Sequence, residues 1–321
     1  RFEENGDGLE DGGDDGVKGG VKDAINDSNS GKGIGGICRY HISRFPIAVT
    51  ACLYGLFFLT LLPVPEKGLK VIMLDVGQGD CTIIQTKDGN MMIDAGNNSW
   101  GETVVAALDE RGIEELDYLI LTHPDADHIG GADNVLREIT VEKVLMPDVE
   151  NDTVTYTEVE ALISEKQIPV DHPYAGAEYA LGDAAFTVLC PQADGVSEND
   201  LNSSSVGIKL VHGENSFVMC GDAEAEAEQE MTAQFGTALE CDVLKCGHHG
   251  SSTATTPGFL TATDPTWALI SCGKDNSYGH PHAEVMAALE DADVQVYRTD
   301  QQGTITCVSD GKELHWRTEH E

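Results

Sequence analysis

The chain has 321 residues, of which 40% are hydrophobic, enough for one sizeable core or two fused halves beyond an N-terminal tail. Its formal net charge is −37, and residues 67–321 alone carry 46 acidic and 13 basic side chains. Such a surface repels polyanions and disfavours non-specific binding of nucleic acid, although a metal centre would still admit a phosphodiester. The nine cysteines include no C-x-x-C pair, which indicates buried free thiols rather than a disulfide framework.

The N-terminal part of the chain predicts a tail followed by a membrane segment. Residues 1–37 are rich in Gly, Asp, Asn and Ser, so we expect a disordered acidic tail. Residues 45–64 are uncharged, apolar and long enough to span a bilayer, which predicts a membrane anchor or an uncleaved signal segment. Arg39 and Arg44 precede it and favour a single-pass protein of the cell membrane with residues 68–321 extracytoplasmic. The alternatives are a cleaved signal peptide, hence a secreted protein, and a hydrophobic core helix.

From residue 69 onward, short strands, tight turns and helices predict one folded domain over 68–321. Apolar runs predict strands at 71–74, 81–85, 91–94, 116–122, 141–146, 186–190, 206–211, 217–220, 241–246, 266–271, 294–297 and 304–308. Helical patterns cover 99–111, 132–138, 156–166, 224–235, 257–262 and 282–290. Asp88-Gly89 predicts a β-hairpin, and Ser99 with Glu102 predicts a capping box. Two comparable halves indicate an α/β sandwich, with two sheets face to face and helices outside.

The most informative stretch is His123-Pro124-Asp125-Ala126-Asp127-His128. It follows the apolar run 116–122, which predicts a buried parallel strand, and the proline prevents an immediate helix. Two imidazoles and two carboxylates therefore crowd a tight loop at the carboxyl end of a strand, where open α/β sheets place their ligand sites. This set suits Zn²⁺, Mn²⁺ or iron better than Ca²⁺, so we expect it to bind metal; a solvated polar loop is the alternative.

Other acids and imidazoles also follow apolar strands. They are Asp94 after 91–93, Asp222 after 217–221, His248 and His249 after 243–247, and His280 and His282 in the loop 276–282. Taken singly, each is as easily a turn residue or a helix cap. Taken together, they all stand at the ends of predicted strands, so we expect them to line a single cleft there.

The order of these residues resembles the metallo-β-lactamase superfamily. The match consists of Asp94, His123-x-Asp125-x-Asp127-His128, Gly221-Asp222 and His248-His249-Gly250-Ser251. Four further motifs, at 75–80, 202–205, 276–281 and 298–303, narrow the resemblance to the metallo-β-lactamase-like domain of ComEC-type competence (DNA-uptake) proteins. The resemblance runs over residues 70–306 and implies a four-layer αβ/βα sandwich with two divalent ions, Zn²⁺ or Mn²⁺, in its cleft.

The resemblance also implies roles for the matching residues. Position by position, the metal ligands are His123 and Asp125 for the first ion, Asp127 and His128 for the second, Asp222 as a bridge, and His248 to complete the second site. Asp94 would orient the ligands through hydrogen bonds, and His249 is an alternative ligand or, as we favour, a packing residue. Asp125 stands where the commonest superfamily motif has a histidine, which makes the first site more tolerant of Mn²⁺. No histidine in a recognisable motif follows before Asp222 to complete that site.

The chemistry implied by the resemblance is hydrolysis. Two cations about 3.5–4 Å apart would lower the pKa of a shared water, so that hydroxide attacks a phosphoester. Asp127 is a predicted catalytic residue as well as a ligand. His280 is a candidate to donate a proton or hydrogen bond to a substrate oxygen, or else a plain loop histidine. Ser251, Lys245 and Arg298 are candidate contacts for an anionic substrate, with helix capping and salt bridges as the alternatives.

We therefore expect a metal-dependent hydrolase that cleaves phosphodiesters, with DNA in competence as a candidate substrate. The acidic surface disfavours nucleic acid and leaves a small-ester, lactone or cyclic-nucleotide hydrolase as the alternative. The incomplete first site leaves a third hypothesis, a non-catalytic accessory module that retains the fold. The expected partners are a phosphodiester or small anionic substrate and, through residues 45–64, the membrane.

Overall fold

The computed structural model describes residues 68–193 and 200–321. The predicted acidic tail (1–37) and membrane segment (45–64) lie outside these ranges, so both stay predictions, as does the single-pass extracytoplasmic placement. Within the described ranges, no helix combines the length and the apolar character needed to cross a membrane.

The described residues alternate between short strands and helices. The strands are β1 (Leu69–Met73), β2 (Thr82–Gln85), β3 (Asn90–Ile93), β4 (Glu115–Leu116), β5 (Tyr118–Ile120), β6 (Thr140–Val141), β7 (Val144–Leu145), β8 (Val170–Asp171), β9 (Glu178–Leu181), β10 (Ala184–Cys190), β11 (Gly207–His212), β12 (Asn215–Met219), β13 (Val243–Lys245), β14 (Trp267–Ile270), β15 (Gln295–Arg298), β16 (Ile305–Ser309) and β17 (Leu314–Thr318). The α-helices are α1 (Gly101–Glu110), α2 (Ala126–Ile129), α3 (Ala132–Glu138), α4 (Val154–Lys166), α5 (Ala225–Phe235), α6 (Pro257–Thr263), α7 (Ala283–Asp291) and α8 (Thr299–Gln302). Two 3₁₀ turns cover Gly236–Leu239 and Gly247–Gly250.

The strands form two large mixed sheets. The order is β17-β16-β1-β2-β3-β5-β7-β8 in the first sheet and β15-β14-β13-β12-β11-β10-β9 in the second, while β4 and β6 pair separately. β3 runs parallel to β5, and β12 runs parallel to β13 and β13 to β14. Parallel neighbours end at the same edge of a sheet. The loops that follow β3 and β5 therefore share one edge of the first sheet, and the loops that follow β12, β13 and β14 share one edge of the second.

The main core lies between the two sheets and includes the large buried side chains of Met73, Phe186 and Phe217. A second apolar cluster contains residues of α1, α3 and α4 together with strands of the first sheet, and a third contains residues of α5, α6 and α7 together with strands of the second. Helices therefore cover the outer face of each sheet. The four-layer αβ/βα sandwich predicted from the sequence is confirmed.

Local predictions had mixed outcomes. The hairpin at Asp88-Gly89 is confirmed, since β2 and β3 pair antiparallel with Gln85 opposite Asn90. Helix α1 forms, but the predicted capping box is wrong: Trp100 occupies the N-cap without a side-chain bond, and the Ser99 hydroxyl donates to Oδ1 of Asn97 at 2.6 Å. Every cysteine in the described part of the chain is buried and free, as expected.

Candidate metal centre

The loop after β5 supplies two buried histidines whose rings lie 4.1 Å apart. The Thr122 hydroxyl donates to Oδ2 of Asp94 at 2.7 Å, so its oxygen is left to accept from Nδ1 of His123 at 3.1 Å. Nδ1 of His128 donates to the same Asp94 oxygen at 2.8 Å. In their neutral forms both histidines therefore carry the proton on Nδ1, and neither Nε2 has a hydrogen-bond partner among the described residues.

Asp94 fixes this arrangement from behind. It directly follows β3, is fully buried, and adopts a left-handed backbone conformation with φ of 57°. Its Oδ1 accepts the backbone N–H of Thr122 at 2.8 Å, and its Oδ2 accepts from the Thr122 hydroxyl and from His128. The carboxylate is thereby fully engaged, and it sets both the tautomer and the direction of the His128 ring.

Asp222 enters the same space from the turn after β12. Gly221 adopts φ of +54°, and a Cβ at this position would lie 2.8 Å from Cβ of Thr122, so the turn requires glycine. The backbone N–H of Asp222 donates to Oγ of Ser205 at 3.2 Å. Oδ2 of Asp222 lies 3.2 Å from Nε2 of His128, while Oδ1 has no partner in the described part of the chain.

His249 completes the cluster from the 3₁₀ turn after β13. It has a left-handed φ of 55° and is almost fully buried. Nδ1 of His249 donates to the carbonyl of Ser271 at 3.0 Å, which directs Nε2 inward. That nitrogen lies 3.4 Å from Oδ2 of Asp127 and 3.5 Å from Oδ2 of Asp222. His249 is thus in contact with both carboxylates.

His248, the adjacent residue, is held differently. Its Nδ1 lies 3.1 Å from Oε1 of Glu224 and 3.1 Å from Oγ1 of Thr253, and its side chain is 25% exposed. Its Nε2 is 3.7 Å from Oδ2 of Asp222. His249, and not His248, belongs to a group of potential ligand atoms among the described residues, although Nε2 of His248 is only slightly farther from Asp222 than Nε2 of His249 is. The Ser271 carbonyl turns the His249 ring inward, while Glu224 and Thr253 hold the His248 ring at the rim. The assignment of His248 as a ligand stays a prediction.

Asp80, which was not among the predicted site residues, forms a buried ion pair with Lys245 next to the cluster. Nζ of Lys245 lies 2.5 Å from Oδ2 of Asp80, and both side chains are almost fully buried. Oδ1 of Asp80 is 3.4 Å from Nδ1 of His249, and its backbone N–H donates to the carbonyl of Asp127 at 3.1 Å. Lys245 therefore has no exposed ammonium group to offer an anionic substrate, contrary to its predicted role.

These residues fit a divalent cation. Groups of potential ligand atoms that lie within 4.8 Å of one another are formed by His123, His128 and Asp222; by Asp127, His128 and His249; by Asp80, Asp222 and His249; and by Asp80, Asp94 and His128. The buried atoms without a hydrogen-bond partner include Nε2 of His123, His128 and His249 and Oδ1 of Asp222. Buried polar atoms of native proteins normally have partners, and imidazole with carboxylate suits Zn²⁺ or Mn²⁺. Asp125 stays half-buried at the rim, with Oδ2 3.8 Å from Nε2 of His123.

The charges within the cluster compensate one another. Burial and the neighbouring His128 lower the pKa of His123 to about 3, so this imidazole is neutral. Burial opposes charge on His249, but carboxylates outweigh it, Asp222 first, and raise its pKa to about 10. Asp222 and Asp94 likewise outweigh burial and hold the pKa of His128 well above its ordinary value. Protons on two histidines thus balance the buried carboxylates, and a bound divalent cation would take their place.

His280 lies at the edge of the cluster, with its ring 5.6 Å from that of His248 and 6.2 Å from that of His249. Burial, followed by the neighbouring imidazoles, lowers its pKa to about 4, so the ring is neutral near pH 7. Oε1 of Gln78 accepts the N–H of Gly273 at 3.1 Å, which leaves Nε2 of Gln78 to donate to Nδ1 of His280 at 3.5 Å. The proton of His280 is therefore on Nε2. At neutral pH it can donate a hydrogen bond but supplies no imidazolium.

The remaining predicted substrate contacts have other partners. The hydroxyl of Ser251, which is buried, lies 3.0 Å from Oγ1 of Thr253 and accepts the Thr253 N–H at 3.3 Å, so it closes its own turn. Arg298 binds Asp300 through two hydrogen bonds of 3.0 and 2.7 Å. For Ser251 and Arg298 the structure thus favours the capping and salt-bridge alternatives over contact with substrate.

The fold and the cluster at its strand ends define a protein class. The sequence profile of the metallo-β-lactamase superfamily matches residues 74–273. The chain belongs to this superfamily, and its class is that of the hydrolases with this fold.

Among individual proteins, the chain is similar to ComE operon protein 3 of Bacillus subtilis (strain 168), with 33% identity over 282 residues that cover 82% of this chain and 36% of that protein. It is similar to Recombination protein 2 of Haemophilus influenzae, with 31% identity over 269 residues, 81% of this chain and 32% of that protein. Competence protein ComA of Neisseria gonorrhoeae is 29% identical over 254 residues, 75% of this chain and 32% of that protein. The chain spans about a third of the length of these curated relatives. Both levels of the predicted resemblance are confirmed.

A solved structure supports the fold independently. CmlA, a diiron β-hydroxylase from Streptomyces venezuelae, superposes with a TM-score of 0.51 at 14% identity, covering 77% of this chain and 55% of that one. At this identity the likeness concerns the fold alone.

Proposed function

We propose that this chain is a metal-dependent phosphodiesterase that cleaves single-stranded nucleic acid, with DNA as its substrate in competence. The observation that carries the proposal is the convergence of unpartnered, buried nitrogen and oxygen atoms of His123, His128, His249 and Asp222 at the strand ends. The competence relatives support the choice of substrate.

The proposed ligand sets follow from the contacts. His123, His128 and Asp222 would hold one divalent ion, and Asp127 with His249 would hold another beside the same Asp222. When bound, such ions would lower the pKa of a water molecule and neutralise the negative charge of a phosphodiester. The incomplete ligand set predicted for the first ion is supplemented here by His128, which borders both sets.

The other residues of the metal centre would not bind metal themselves; they would orient the ligands or the substrate. Asp94 keeps Nε2 of His128 directed at the ligand space, because its carboxylate binds the opposite ring nitrogen. The Ser271 carbonyl does the same for His249. Neutral His280, with its proton on Nε2, would donate a hydrogen bond to an oxygen that becomes negative in the transition state.

A second candidate function uses the same centre on a small ester, lactone or cyclic nucleotide. The net charge of −37 favours it, because a small substrate meets less long-range repulsion than a polyanion does. A substrate panel separates the two candidates.

The test combines elemental analysis with hydrolysis assays on the 321-residue chain, with Mn²⁺ and Zn²⁺ supplied separately. We expect two ions per chain and hydrolysis of single-stranded DNA and of bis-p-nitrophenyl phosphate. Asp222→Ala should reduce kcat/KM by more than about 100-fold, beyond what loss of a merely orienting partner produces. Asp109→Asn, an exposed change in α1, is the matched control and should leave activity unchanged.

Three outcomes would contradict the proposal. Hydrolysis of small esters, together with no cleavage of single-stranded DNA, would select the second candidate function. A chain that binds metal but hydrolyses nothing, or binds no metal, would indicate an accessory module that retains the fold. Activity retained in Asp222→Ala would show that the chemistry occurs elsewhere.

A further inference from the structure

The side chain of Tyr278 is unusually exposed for an aromatic ring next to a buried cluster. In the described part of the chain, the exposed large apolar side chains are Val154, Val170, Val211 and Tyr278, and Tyr278 is 65% exposed. It is the one aromatic ring among them. A single exposed apolar side chain is common on protein surfaces, so the case for a role depends on where this ring lies.

The loop around Tyr278 is held firmly. Oδ1 of Asn276 accepts the backbone N–H groups of Tyr278 and His280 at 3.1 and 3.0 Å. Nδ2 of Asn276 donates to the carbonyls of Gly273 and His280 at 2.9 and 2.6 Å. One asparagine thus satisfies four backbone groups. Tyr278 is therefore displayed on a fixed support, which lowers the entropy lost when a ligand orders it.

Tyr278 is also the outermost member of a row of rings. Its ring lies 5.6 Å from that of His280 with an interplanar angle of 25°. The ring of His280 lies 6.2 Å from that of His249 at 28°. Since His249 contacts Asp127 and Asp222, the row leads from the proposed metal ligands to the surface.

The charge of the protein makes such a ring useful. Most proteins that bind nucleic acid rely on cations that contact phosphates, but this chain has a net charge of −37. Lys245 is paired with Asp80 and Arg298 with Asp300, so neither is free for a phosphate, and the loop that carries Tyr278 has one exposed lysine, Lys274. Stacking of bases on aromatic rings requires no positive charge and tolerates any base.

We propose that Tyr278 is the stacking platform for an unpaired nucleobase, and that this contact places the adjoining phosphodiester at the metal centre. The inference rests on the proposed function and specifies its substrate: a strand whose bases are unpaired, because a base within a duplex cannot reach an exposed ring. Tyr278 acts on substrate affinity, not on the reacting atoms.

The test uses three variants of the 321-residue chain. Tyr278→Ala removes the ring, and Tyr278→Phe keeps it without the hydroxyl. Val211→Ala removes an exposed apolar side chain that is opposite Ser216 in the ladder, at the end of β12 away from Asp222. Each protein is tested with two ligands. One is a short oligothymidylate, and the other is a strand of equal length made of abasic nucleotides, which keeps the phosphates but lacks the bases. Binding is measured by fluorescence anisotropy in EDTA at several NaCl concentrations, and KM and kcat are measured with Mn²⁺.

We expect Tyr278→Ala to weaken binding of oligothymidylate and to raise its KM by about 5- to 150-fold, the range for one stacked base, with little change in kcat. The abasic strand should bind the parent and Tyr278→Ala equally. Tyr278→Phe and Val211→Ala should match the parent on both strands.

Equal weakening of both strands in Tyr278→Ala would overturn the inference, because the ring would then serve the loop or the phosphates. So would an unchanged affinity, or a Tyr278→Phe variant as impaired as Tyr278→Ala. Absence of hydrolysis in all proteins would instead overturn the proposed function, while the anisotropy comparison, made without metal, would still decide whether Tyr278 stacks on a base.

Discussion

At the scale of single residues, a lysine inside a buried parallel strand needs an anionic partner, since an unpaired buried ammonium is costly. Lys245 lies in the apolar run 243–246, so its position alone indicates a buried carboxylate nearby. The structure supplies Asp80, which lies in the loop between β1 and β2. The sequence does not identify this acid, because the two residues are distant in the chain and meet only through the packing of the two sheets.

The Lys245–Asp80 pair leads to a stability prediction. Lys245→Met leaves the Asp80 carboxylate buried without its cation, and we expect the free energy of unfolding to fall by about 3–5 kcal/mol. The double variant Asp80→Asn/Lys245→Met should recover most of this loss, because no buried charge is then left unpaired. Urea unfolding in EDTA measures both, with Lys87→Met as the matched control, since Lys87 forms an exposed pair with Asp88. A loss no larger than that of the control would contradict the prediction.

The directions of the adjacent His248 and His249 rings could not be predicted from the sequence. Both follow the same strand and have the same chemistry, and both adopt left-handed backbone conformations, with φ of 48° and 55°. In such an irregular turn the direction of each ring depends on its hydrogen-bond partner. Those partners, Glu224 for one and Ser271 for the other, come from different parts of the chain.

At the scale of elements, the buried strands and one edge strand, β15, were predicted from the sequence, whereas the other three edge strands were not. The strands absent from the sequence prediction include β8, β9 and β17, and each forms an edge of one of the two large sheets. Their residues are largely exposed or half-buried, as in Glu178–Leu181 and Leu314–Thr318. Edge strands lack the continuous apolar run that burial on both faces produces, so pattern alone does not separate them from loops.

Helix α5 braces the segment that follows the His248-His249 turn. The Glu228 carboxylate accepts the backbone N–H groups of Thr255 and Thr256 at 2.5 and 2.8 Å, although it is almost fully buried. Thr255 is left-handed, with φ of 53°, and Thr256 caps helix α6. One side chain therefore links two helices and supports a strained residue between them.

Glu228→Gln tests this brace. An amide offers one acceptor where the carboxylate offers two, so its NH₂ group would face one of the two N–H groups and leave it unsatisfied. We expect the free energy of unfolding to fall by about 1–3 kcal/mol in urea titrations. Glu230→Gln, an exposed change in the same helix, is the control and should have little effect. Equal stability of the two variants would show that water replaces the lost contact.

At the scale of the whole molecule, the acidic composition opposes folding into a compact sandwich. The described residues, 68–193 and 200–321, bring 44 acidic side chains together in the sandwich, with 12 basic ones to offset them. Folding therefore raises the density of like charge, and this self-repulsion opposes the compact state. Two of the acids are also unfavourably placed: Asp109 and Glu110 end helix α1, where the helix dipole disfavours negative charge.

Salt should relieve this repulsion. The Debye length falls from about 10 Å at 0.1 M to about 3 Å at 1 M, so each carboxylate then acts only on near neighbours. We expect the Tm in EDTA to rise with NaCl by roughly 2–4 °C for every kcal/mol of repulsion removed. The double variant Asp109→Asn/Glu110→Gln should have a higher Tm at low salt and a smaller salt response, because part of the repulsion is already absent. Glucose at equal osmolality controls for solute effects other than screening. A Tm that is flat or falls with NaCl would show that the acidic side chains of the folded protein are spaced widely enough for water alone to screen them.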